Sequence, residues 1–299
     1  MQELNPAEHR SMQRICTPAG GVVIVAADQR NSMKAVMNAP DGPESISTSD
    51  LVKAKRDLVN VLGNNAPAIL LDPEVAMPQL VMENTFSRDT GIVIGMDASG
   101  YSVESGLRFT NLVEGISAKK LRFMGADAAK MLYYIRPDRQ GVGSLVASQM
   151  RELADECAAE SLLLIVEILT YKLNHETDAE YQQKFPDLVA EATSLAVECG
   201  AKMLKLPFPG SEEGCKRVHE AAAGVPWAIL SAGVDHSTFL GQVDTALSNG
   251  CAGAMAGRSL WKDALAPSSE ERVGLLTTRA LPRLRELINT VTGATPNIG

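Results

Sequence analysis

Eight short apolar runs recur along this 299-residue chain, and longer charge-bearing segments separate them. The runs span residues 22–27, 68–71, 91–96, 128–133, 162–168, 203–206, 227–230 and 253–256. They are apolar almost throughout, which is typical of parallel strands covered on both faces, whereas half-exposed antiparallel strands would alternate. The pattern therefore predicts an α/β fold: a single (β/α)8 TIM barrel with an additional helix at each terminus.

The segments between the runs have helical signals. Residues 48–50 (Thr-Ser-Asp) are expected to cap a helix over 51–61, and the segment 211–222 opens with two acids in its first turn. No low-complexity linker or composition break divides the chain, so we expect one domain over 1–299. A doubly wound open sheet is the alternative, but the first run ends in Ala-Ala-Asp-Gln-Arg30 and lacks the GxGxxG turn of dinucleotide-binding folds.

Charge and cysteine usage exclude several classes of partner. The formal net charge is −8 and no dense block of Lys and Arg occurs, so we expect neither nucleic acid nor an anionic membrane as a partner. The five cysteines form no CxxC pair, which predicts reduced thiols. No signal peptide or membrane span is evident, so we expect a cytoplasmic protein. The four histidines form no ligand pair, so we expect no metal and no cofactor.

Polar residues gather at the predicted strand ends, where barrel enzymes place their functional side chains. They are Asp28-Gln29-Arg30, Asp72-Pro73-Glu74, Asp97, Lys130, Glu167, Lys205, Ser231-Ala232-Gly233 and Gly257-Arg258. Alternation within the strands predicts that Lys130, Glu167 and Lys205 all point into the barrel. Three consecutive runs would thus deliver a lysine, a glutamate and a lysine to one place.

This trio suits Schiff-base chemistry. Burial and a neighbouring ammonium both favour a neutral amine, which is nucleophilic toward carbonyl carbon, and a nearby carboxylate can shuttle protons. The alternative is structural: Lys130 and Glu167 form a buried ion pair and Lys205 pairs with Asp28. Convergence of three charges at one depth favours the catalytic interpretation.

Two segments at the last two strand ends are expected to hold an anion. Ser231-Ala232-Gly233 and Gly257-Arg258 lie where barrel enzymes commonly bind phosphate, and they offer backbone N–H groups, a hydroxyl and a guanidinium. Small residues allow the backbone to approach the anion closely.

Taken in order, seven segments resemble the bacterial class I tagatose 1,6-bisphosphate aldolases and the related sulfofructosephosphate aldolases. They are Ala27-Asp-Gln-Arg30, Leu70-Leu-Asp-Pro-Glu74, Gly125-Ala-Asp-Ala-Ala-Lys130, Glu167-Ile-Leu-Thr-Tyr171, Leu204-Lys205, Leu230-Ser-Ala-Gly-Val234 and Ala256-Gly-Arg-Ser-Leu-Trp261. The resemblance implies that Lys205 forms the Schiff base and that Glu167 is the acid and base. It also implies that Lys130 and Asp28 position the C4 hydroxyl, and that no metal is needed. It assigns the C1 phosphate to Ser231, Gly233, Gly257 and Arg258, and places Gln29 and Arg30 near the distal end of the sugar.

The resemblance ranks D-tagatose 1,6-bisphosphate first as substrate and a sulfofructose phosphate second. The segments 136–143 and 207–211 could reshape the pocket mouth and alter which sugar is accepted. A hypothesis of another class is a regulator that senses a sugar phosphate on the same scaffold, but a pure binder has no need of the complete Lys-Glu-Lys-Asp set. Such barrels often associate through their outer helices, and we expect a homo-oligomer.

Overall fold

The computed structural model describes residues 4–37 and 41–294, and a closed parallel barrel is its centre. The strands are β1 (Val22–Ala26), β2 (Ala68–Leu71), β3 (Gly91–Gly95), β4 (Ser102–Glu104), β5 (Leu107–Phe109), β6 (Ala128–Tyr134), β7 (Leu163–Leu169), β8 (Met203–Pro207), β9 (Trp227–Leu230) and β10 (Gly253–Ala256). Eight of them close the barrel in the order β1-β10-β9-β8-β7-β6-β3-β2, and β4 and β5 form a separate antiparallel pair. The predicted (β/α)8 barrel is confirmed.

The eight predicted runs agree with the barrel strands to within one residue at each end. The β4–β5 hairpin was not predicted. Its two-residue turn is Ser105-Gly106, with φ of 51° and 78°, and positive φ at both central positions is typical of the tight turns that join antiparallel strands. The hairpin leaves the barrel after β3, so it stands over the carboxyl ends of the strands.

Helices surround the barrel and extend both ends of the chain, as predicted. They are α1 (Pro6–Ile15), α2 (Asn31–Val36), α3 (Thr48–Val61), α4 (Gln79–Met82), α5 (Ala118–Phe123), α6 (Leu145–Ala159), α7 (Asp178–Glu198), α8 (Glu212–Ala222), α9 (His236–Leu247), α10 (Arg258–Trp261), α11 (Ser269–Leu275) and α12 (Leu281–Gly293). A π-helical turn, Leu276–Ala280, joins α11 to α12.

Helix α3 begins three residues earlier than predicted, whereas the start of α8 was predicted correctly. The α3 cap is Ser47: its Oγ accepts from the Asp50 N–H, and the Asp50 carboxylate accepts in return from the Ser47 N–H, at 3.2 Å each. This reciprocal capping box satisfies two free N–H groups, so the helix begins at Thr48. In α8, Ser211 is the cap and Glu212 and Glu213 occupy the first turn.

Helix α1 closes the amino-terminal end of the barrel. Its Met12 and Ile15 pack against lumen-facing side chains such as Val22 and Met203. Glu8 of α1 is fully buried, and its carboxylate accepts two bonds from the Lys202 Nζ at 2.5 and 2.6 Å. A buried charge is retained only where it is paired in this way, so the ion pair fixes α1 beneath β8. The open end of the barrel is therefore the carboxyl end.

All five cysteines are free thiols, and four of them are buried, as the sequence predicted. Burial raises the pKa of Cys16 and of Cys251 to about 12, which leaves both thiols protonated near pH 7.

Across residues 4–37 and 41–294, none of the helices has the length and apolar character needed to cross a membrane.

Candidate active site

Lys205, Glu167 and Lys130 meet in the lumen near the carboxyl end of the barrel. Lys205 on β8 is paired in register with Glu167 on β7, and the next strand, β6, carries Lys130. The Glu167 Oε2 lies 2.9 Å from the Lys205 Nζ and 3.1 Å from the Lys130 Nζ. Lys130 is 1% exposed and Lys205 is 4% exposed. The structure thus brings together the three side chains that strand alternation placed inward.

Lys130 is the hub of a larger ion cluster. Its Nζ lies 2.7 Å from Asp28 Oδ2 and 2.7 Å from Asp97 Oδ1, in addition to its contact with Glu167. The Leu132 N–H also donates to the Asp97 carboxylate at 3.3 Å. In the structural alternative considered above, Asp28 was the partner of Lys205. In the structure Asp28 instead pairs with Lys130, whose side chain reaches across the lumen from β6 to β1.

The charges of this cluster stabilise one another. Burial opposes ionisation of Asp28 and of Glu167, but the Lys130 and Lys205 ammonium groups outweigh it and hold the pKa of both carboxyls below the usual range. Burial likewise disfavours charge on Lys130, yet Asp28, Asp97 and Glu167 outweigh it and raise its pKa well above the ordinary value. Lys130 is therefore a permanent ammonium.

The carboxylates around Lys130 weaken its expected effect on Lys205. Lys130 was expected to favour the neutral amine of Lys205 by repulsion between like charges. Three carboxylates surround Lys130, so their attraction offsets much of this repulsion. The hydrogen bond from the Lys205 Nζ to the Glu167 carboxylate is then the direct route by which a proton can leave the amine.

A cavity of about 260 Å³ opens above the cluster at the barrel mouth. It is lined by Ala26, Gln29, Glu167, Leu169, Lys205, Leu230, Ser231, Ala232, Gly233, Met255, Gly257 and Arg258. Eight of the residues named from the sequence therefore share one cavity. Lys130 lies outside the lining and contacts it through Glu167, and Asp28 lies outside it and contacts Lys130. Arg30 is not part of the lining.

The β9 and β10 side of the cavity forms a turn suited to an anion. Gly233 has a φ of +82°, and a Cβ built there would lie 3.4 Å from the Cζ of Arg258, so the guanidinium lies against the glycine. At Gly257, a Cβ would lie 3.0 Å from the Ala26 carbonyl oxygen, which leaves little room for a side chain. The Gly257 N–H donates to Ser231 Oγ at 3.4 Å. Small residues here leave backbone N–H groups, a hydroxyl and a guanidinium close together.

Arg30 has partners of its own. Its guanidinium donates to the Asp97 carbonyl oxygen at 2.7 Å and forms an ion pair with Glu74. Since Asp97 also holds Lys130, Arg30 braces the ion cluster from the β1 side. Gln29, its neighbour in sequence, does line the cavity.

Two functional neighbours were missed by sequence reasoning. Asp97 was noted at a strand end without a role, although it holds Lys130. Lys55 of α3 is fully buried, pairs with Asp72 at 3.0 Å, and donates to the carbonyl oxygens of Ala27 and Gln29 at 2.6 and 2.9 Å. It therefore shapes the turn that carries Asp28. A lysine on the apolar face of a helix, between Leu51 and Leu58, was the available signal.

The described residues contain no group of three or more His, Cys, Asp or Glu side chains arranged to hold a metal ion.

Comparison with known proteins gives a consistent result. The model of a family described as DeoC/LacD family aldolase matches residues 22–263. A tagatose 1,6-diphosphate aldolase of Staphylococcus epidermidis is 28% identical over 286 aligned positions, covering 87% of this chain and 87% of that protein. The enzyme of the same name from Staphylococcus haemolyticus is 28% identical over 280 positions, covering 85% of each.

Solved structures show the same fold. An archaeal fructose 1,6-bisphosphate aldolase superposes with a TM-score of 0.65 and 17% identity, covering 96% of this chain and 99% of that one. An archaeal fructose-1,6-bisphosphate aldolase with its catalytic lysine covalently bound to the carbinolamine intermediate gives a TM-score of 0.63 at 17% identity, covering 96% of this chain and all of that one. At this identity the likeness concerns the fold.

Proposed function

Because the chain belongs to the DeoC/LacD family of aldolases, we propose that it is a class I aldolase, a carbon-carbon lyase that reversibly cleaves a ketose 1,6-bisphosphate. The products are dihydroxyacetone phosphate and glyceraldehyde 3-phosphate. One observation carries the proposal: the buried Nζ of Lys205 lies 2.9 Å from the Glu167 carboxylate at the floor of a cavity. A nucleophile and a proton acceptor in direct contact are what carbonyl chemistry through a Schiff base requires.

In the first stage, Lys205 becomes covalently bound to the substrate. Lys205 passes a proton to Glu167, and its amine attacks the C2 carbonyl, whose oxygen takes up a proton to give a carbinolamine. With Lys205 neutral, Glu167 faces one cation fewer, so its carboxyl holds a proton more readily and can donate it to the departing hydroxyl. Water leaves, and the iminium of Lys205 remains.

In the second stage, the C3–C4 bond breaks. The C4 hydroxyl gives its proton to the Glu167 carboxylate, the electron pair of the C3–C4 bond moves toward the iminium, and glyceraldehyde 3-phosphate departs. An enamine remains; protonation at C3 and addition of water release dihydroxyacetone phosphate and restore Lys205. We assign Lys130 and Asp28 to positioning the C4 hydroxyl beside Glu167, since the Lys130 Nζ lies 3.1 Å from Glu167 and 2.7 Å from Asp28.

We assign the C1 phosphate to Ser231, Ala232, Gly233, Gly257 and Arg258. These residues line the side of the cavity next to Lys205, because β9 follows β8 around the barrel. A phosphate held there would bring C2 to the Lys205 amine. Gln29 lines the same cavity and would contact the sugar, whereas Arg30 would act by bracing Asp97.

D-tagatose 1,6-bisphosphate is the first candidate substrate, since the two staphylococcal relatives are tagatose 1,6-diphosphate aldolases by name. A sulfofructose phosphate, which would give dihydroxyacetone phosphate and sulfolactaldehyde, is the second candidate, on the resemblance noted in the sequence.

We propose that the enzyme acts in the cytoplasm. We also propose that it is a homo-oligomer, because barrels of this kind often associate through their outer helices.

A panel of substrates tests the proposal. The 1,6-bisphosphates of tagatose, fructose, psicose and sorbose, together with sulfofructose 1-phosphate, are incubated with the enzyme, and released dihydroxyacetone phosphate is measured by coupled reduction. We expect cleavage of tagatose 1,6-bisphosphate with the highest kcat/KM. Cleavage of none of the panel would overturn the proposal and favour a sugar-phosphate sensor.

A further inference from the structure

Arg108 on the β4–β5 hairpin is held in a cage of three tyrosine rings. Its guanidinium carbon lies 4.5 Å from the ring centre of Tyr101, 4.6 Å from that of Tyr171 and 5.9 Å from that of Tyr134. The rings pack edge to face, with centres 5.0 Å apart for Tyr101 and Tyr134 and 6.3 Å apart for Tyr134 and Tyr171. The Arg108 backbone N–H also donates to the Tyr171 hydroxyl at 2.9 Å.

The charge of Arg108 is not matched by an acid. Among residues 4–37 and 41–294, no carboxylate lies within ion-pair distance of its guanidinium, whereas Arg30, Arg136 and Lys130 all have such partners. The three rings hold the guanidinium in place by cation–π attraction, which leaves its N–H groups available to a ligand. A planar cation with a free edge suits bidentate binding of a phosphate or sulfonate.

The cage stands at the mouth of the active-site barrel. Tyr134 shares the lumen-facing side of β6 with Lys130, and it is paired in register with Leu169, which lines the cavity. Burial raises the pKa of the Tyr134 hydroxyl; Arg108 opposes the rise, and Glu167 and Asp97 add to it. The Tyr134 hydroxyl is therefore within electrostatic reach of both the ion cluster and Arg108.

Position around the barrel indicates which part of the substrate would reach this cage. The C1-phosphate residues directly follow the ends of β9 and β10, Lys205 lies on β8, Glu167 on β7 and Tyr134 on β6. A sugar whose C1 phosphate is bound after β9 and β10, and whose chain passes Lys205 and Glu167, therefore has its far end directed toward the carboxyl end of β6. Adjacent strands are about 4.8 Å apart, so β6 lies roughly 10 Å along the wall from β8.

We propose that Arg108, presented by the hairpin and oriented by its three tyrosines, binds the distal anion of the substrate, a phosphate or sulfonate carried on C6. This inference rests on the proposed function and modifies it, because the resemblance placed Gln29 and Arg30 at the distal end. Arg30 already has Glu74 and the Asp97 carbonyl as partners.

The test compares substrates that differ only in the distal group. For wild type and Arg108→Gln, kcat/KM is measured with tagatose 1,6-bisphosphate and tagatose 1-phosphate, and with sulfofructose 1-phosphate and fructose 1-phosphate as the sulfonate arm. We expect Arg108→Gln to lower kcat/KM roughly a hundredfold for substrates that carry the distal anion, and far less for those that lack it. The pair of substrates for which Arg108→Gln lowers kcat/KM more, the phosphate pair or the sulfonate pair, identifies the distal anion that Arg108 binds. Arg108→Lys should recover part of the loss, since it restores the charge without the bidentate edge.

Controls separate the alternatives. Arg139→Gln removes an exposed arginine from the neighbouring cavity beside the hairpin turn and should leave both arms unchanged. Equal loss on substrates with and without the distal anion would identify Arg108 as an anchor for the hairpin and overturn the inference, as would no loss on either. Borohydride trapping of dihydroxyacetone phosphate on Lys205 should persist in Arg108→Gln. If wild type itself traps nothing, the proposed function fails independently of Arg108.

Discussion

The Glu167 Oε2 is shared between two lysines: it lies 2.9 Å from the Lys205 Nζ and 3.1 Å from the Lys130 Nζ. The two lysines differ in their surroundings. Lys130 is enclosed by Asp28, Asp97 and Glu167, whereas the ion pair of Lys205 is with Glu167 and its side chain lines the cavity. One lysine is therefore placed to hold charge and the other to meet a substrate, with one carboxylate serving both.

Glu167→Gln tests the role of that carboxylate. The amide keeps the size of the side chain but can no longer take a proton from Lys205, so we expect kcat to fall by roughly 10²- to 10⁴-fold. Formation of the Schiff base and cleavage should both slow in single-turnover measurements. Glu191→Gln, on the exposed face of α7, is the matched control and should leave kcat unchanged. A Glu167→Gln enzyme with wild-type kcat would remove Glu167 from the mechanism.

Lys130→Met tests the electrostatic cluster through stability. Removing the hub leaves buried carboxylates without their cation, which costs about 3–5 kcal/mol of the free energy of unfolding near pH 7. Since Lys130 and Lys205 hold the pKa of Asp28 and Glu167 below the usual range, these carboxyls add stability above their unfolded values of about 4, and this stability is lost as the pH falls further.

The difference in unfolding free energy between wild type and Lys130→Met should therefore be largest near neutral pH and shrink below about pH 4. Urea titrations at a series of pH values measure it. Lys172→Met, which removes an exposed lysine paired with Asp178, serves as control and should show a small difference at every pH. A large difference that stays constant with pH would show that Lys130 stabilises the fold by packing alone.

Gly233→Ala tests the anion-binding turn. The backbone there has a φ of +82°, which a residue with a Cβ rarely adopts, and the added methyl group would lie 3.4 Å from the Arg258 Cζ. We expect KM for the phosphorylated substrate to rise about tenfold, a change of about 1.4 kcal/mol, because the strained turn would shift its backbone N–H groups away from the anion. Gly241→Ala in α9, where a Cβ would meet nothing within 4 Å, is the matched control and should leave KM unchanged. An unaltered KM in Gly233→Ala would separate this turn from phosphate binding.

Much of this architecture could be predicted from the sequence. Strands covered on both faces must be apolar on both faces, so charges such as Lys130, Glu167 and Lys205 within these runs are conspicuous. Strict alternation then fixes which way they point. Both inferences depend only on neighbours along the chain, and both agree with the structure.

What the sequence did not predict depends on contacts across the closed barrel. Asp97 gains its role because the lumen brings it within 2.7 Å of Lys130, which lies 33 residues away in the chain. Lys55 reaches the β1 turn from a helix, and Arg108 meets its tyrosines only once the hairpin lies over the rim. The partner of each charge is a property of the assembled lumen, which strand periodicity does not specify.

The most direct measurement is chemical trapping of the proposed Schiff base. The enzyme is incubated with dihydroxyacetone phosphate and reduced with borohydride, and the modified peptide is located by mass; enzyme without ligand is the control. We predict one adduct, on Lys205, and none in Lys205→Met. An adduct on Lys130 or Lys202, or no adduct at all, would contradict the assignment of Lys205 as the nucleophile.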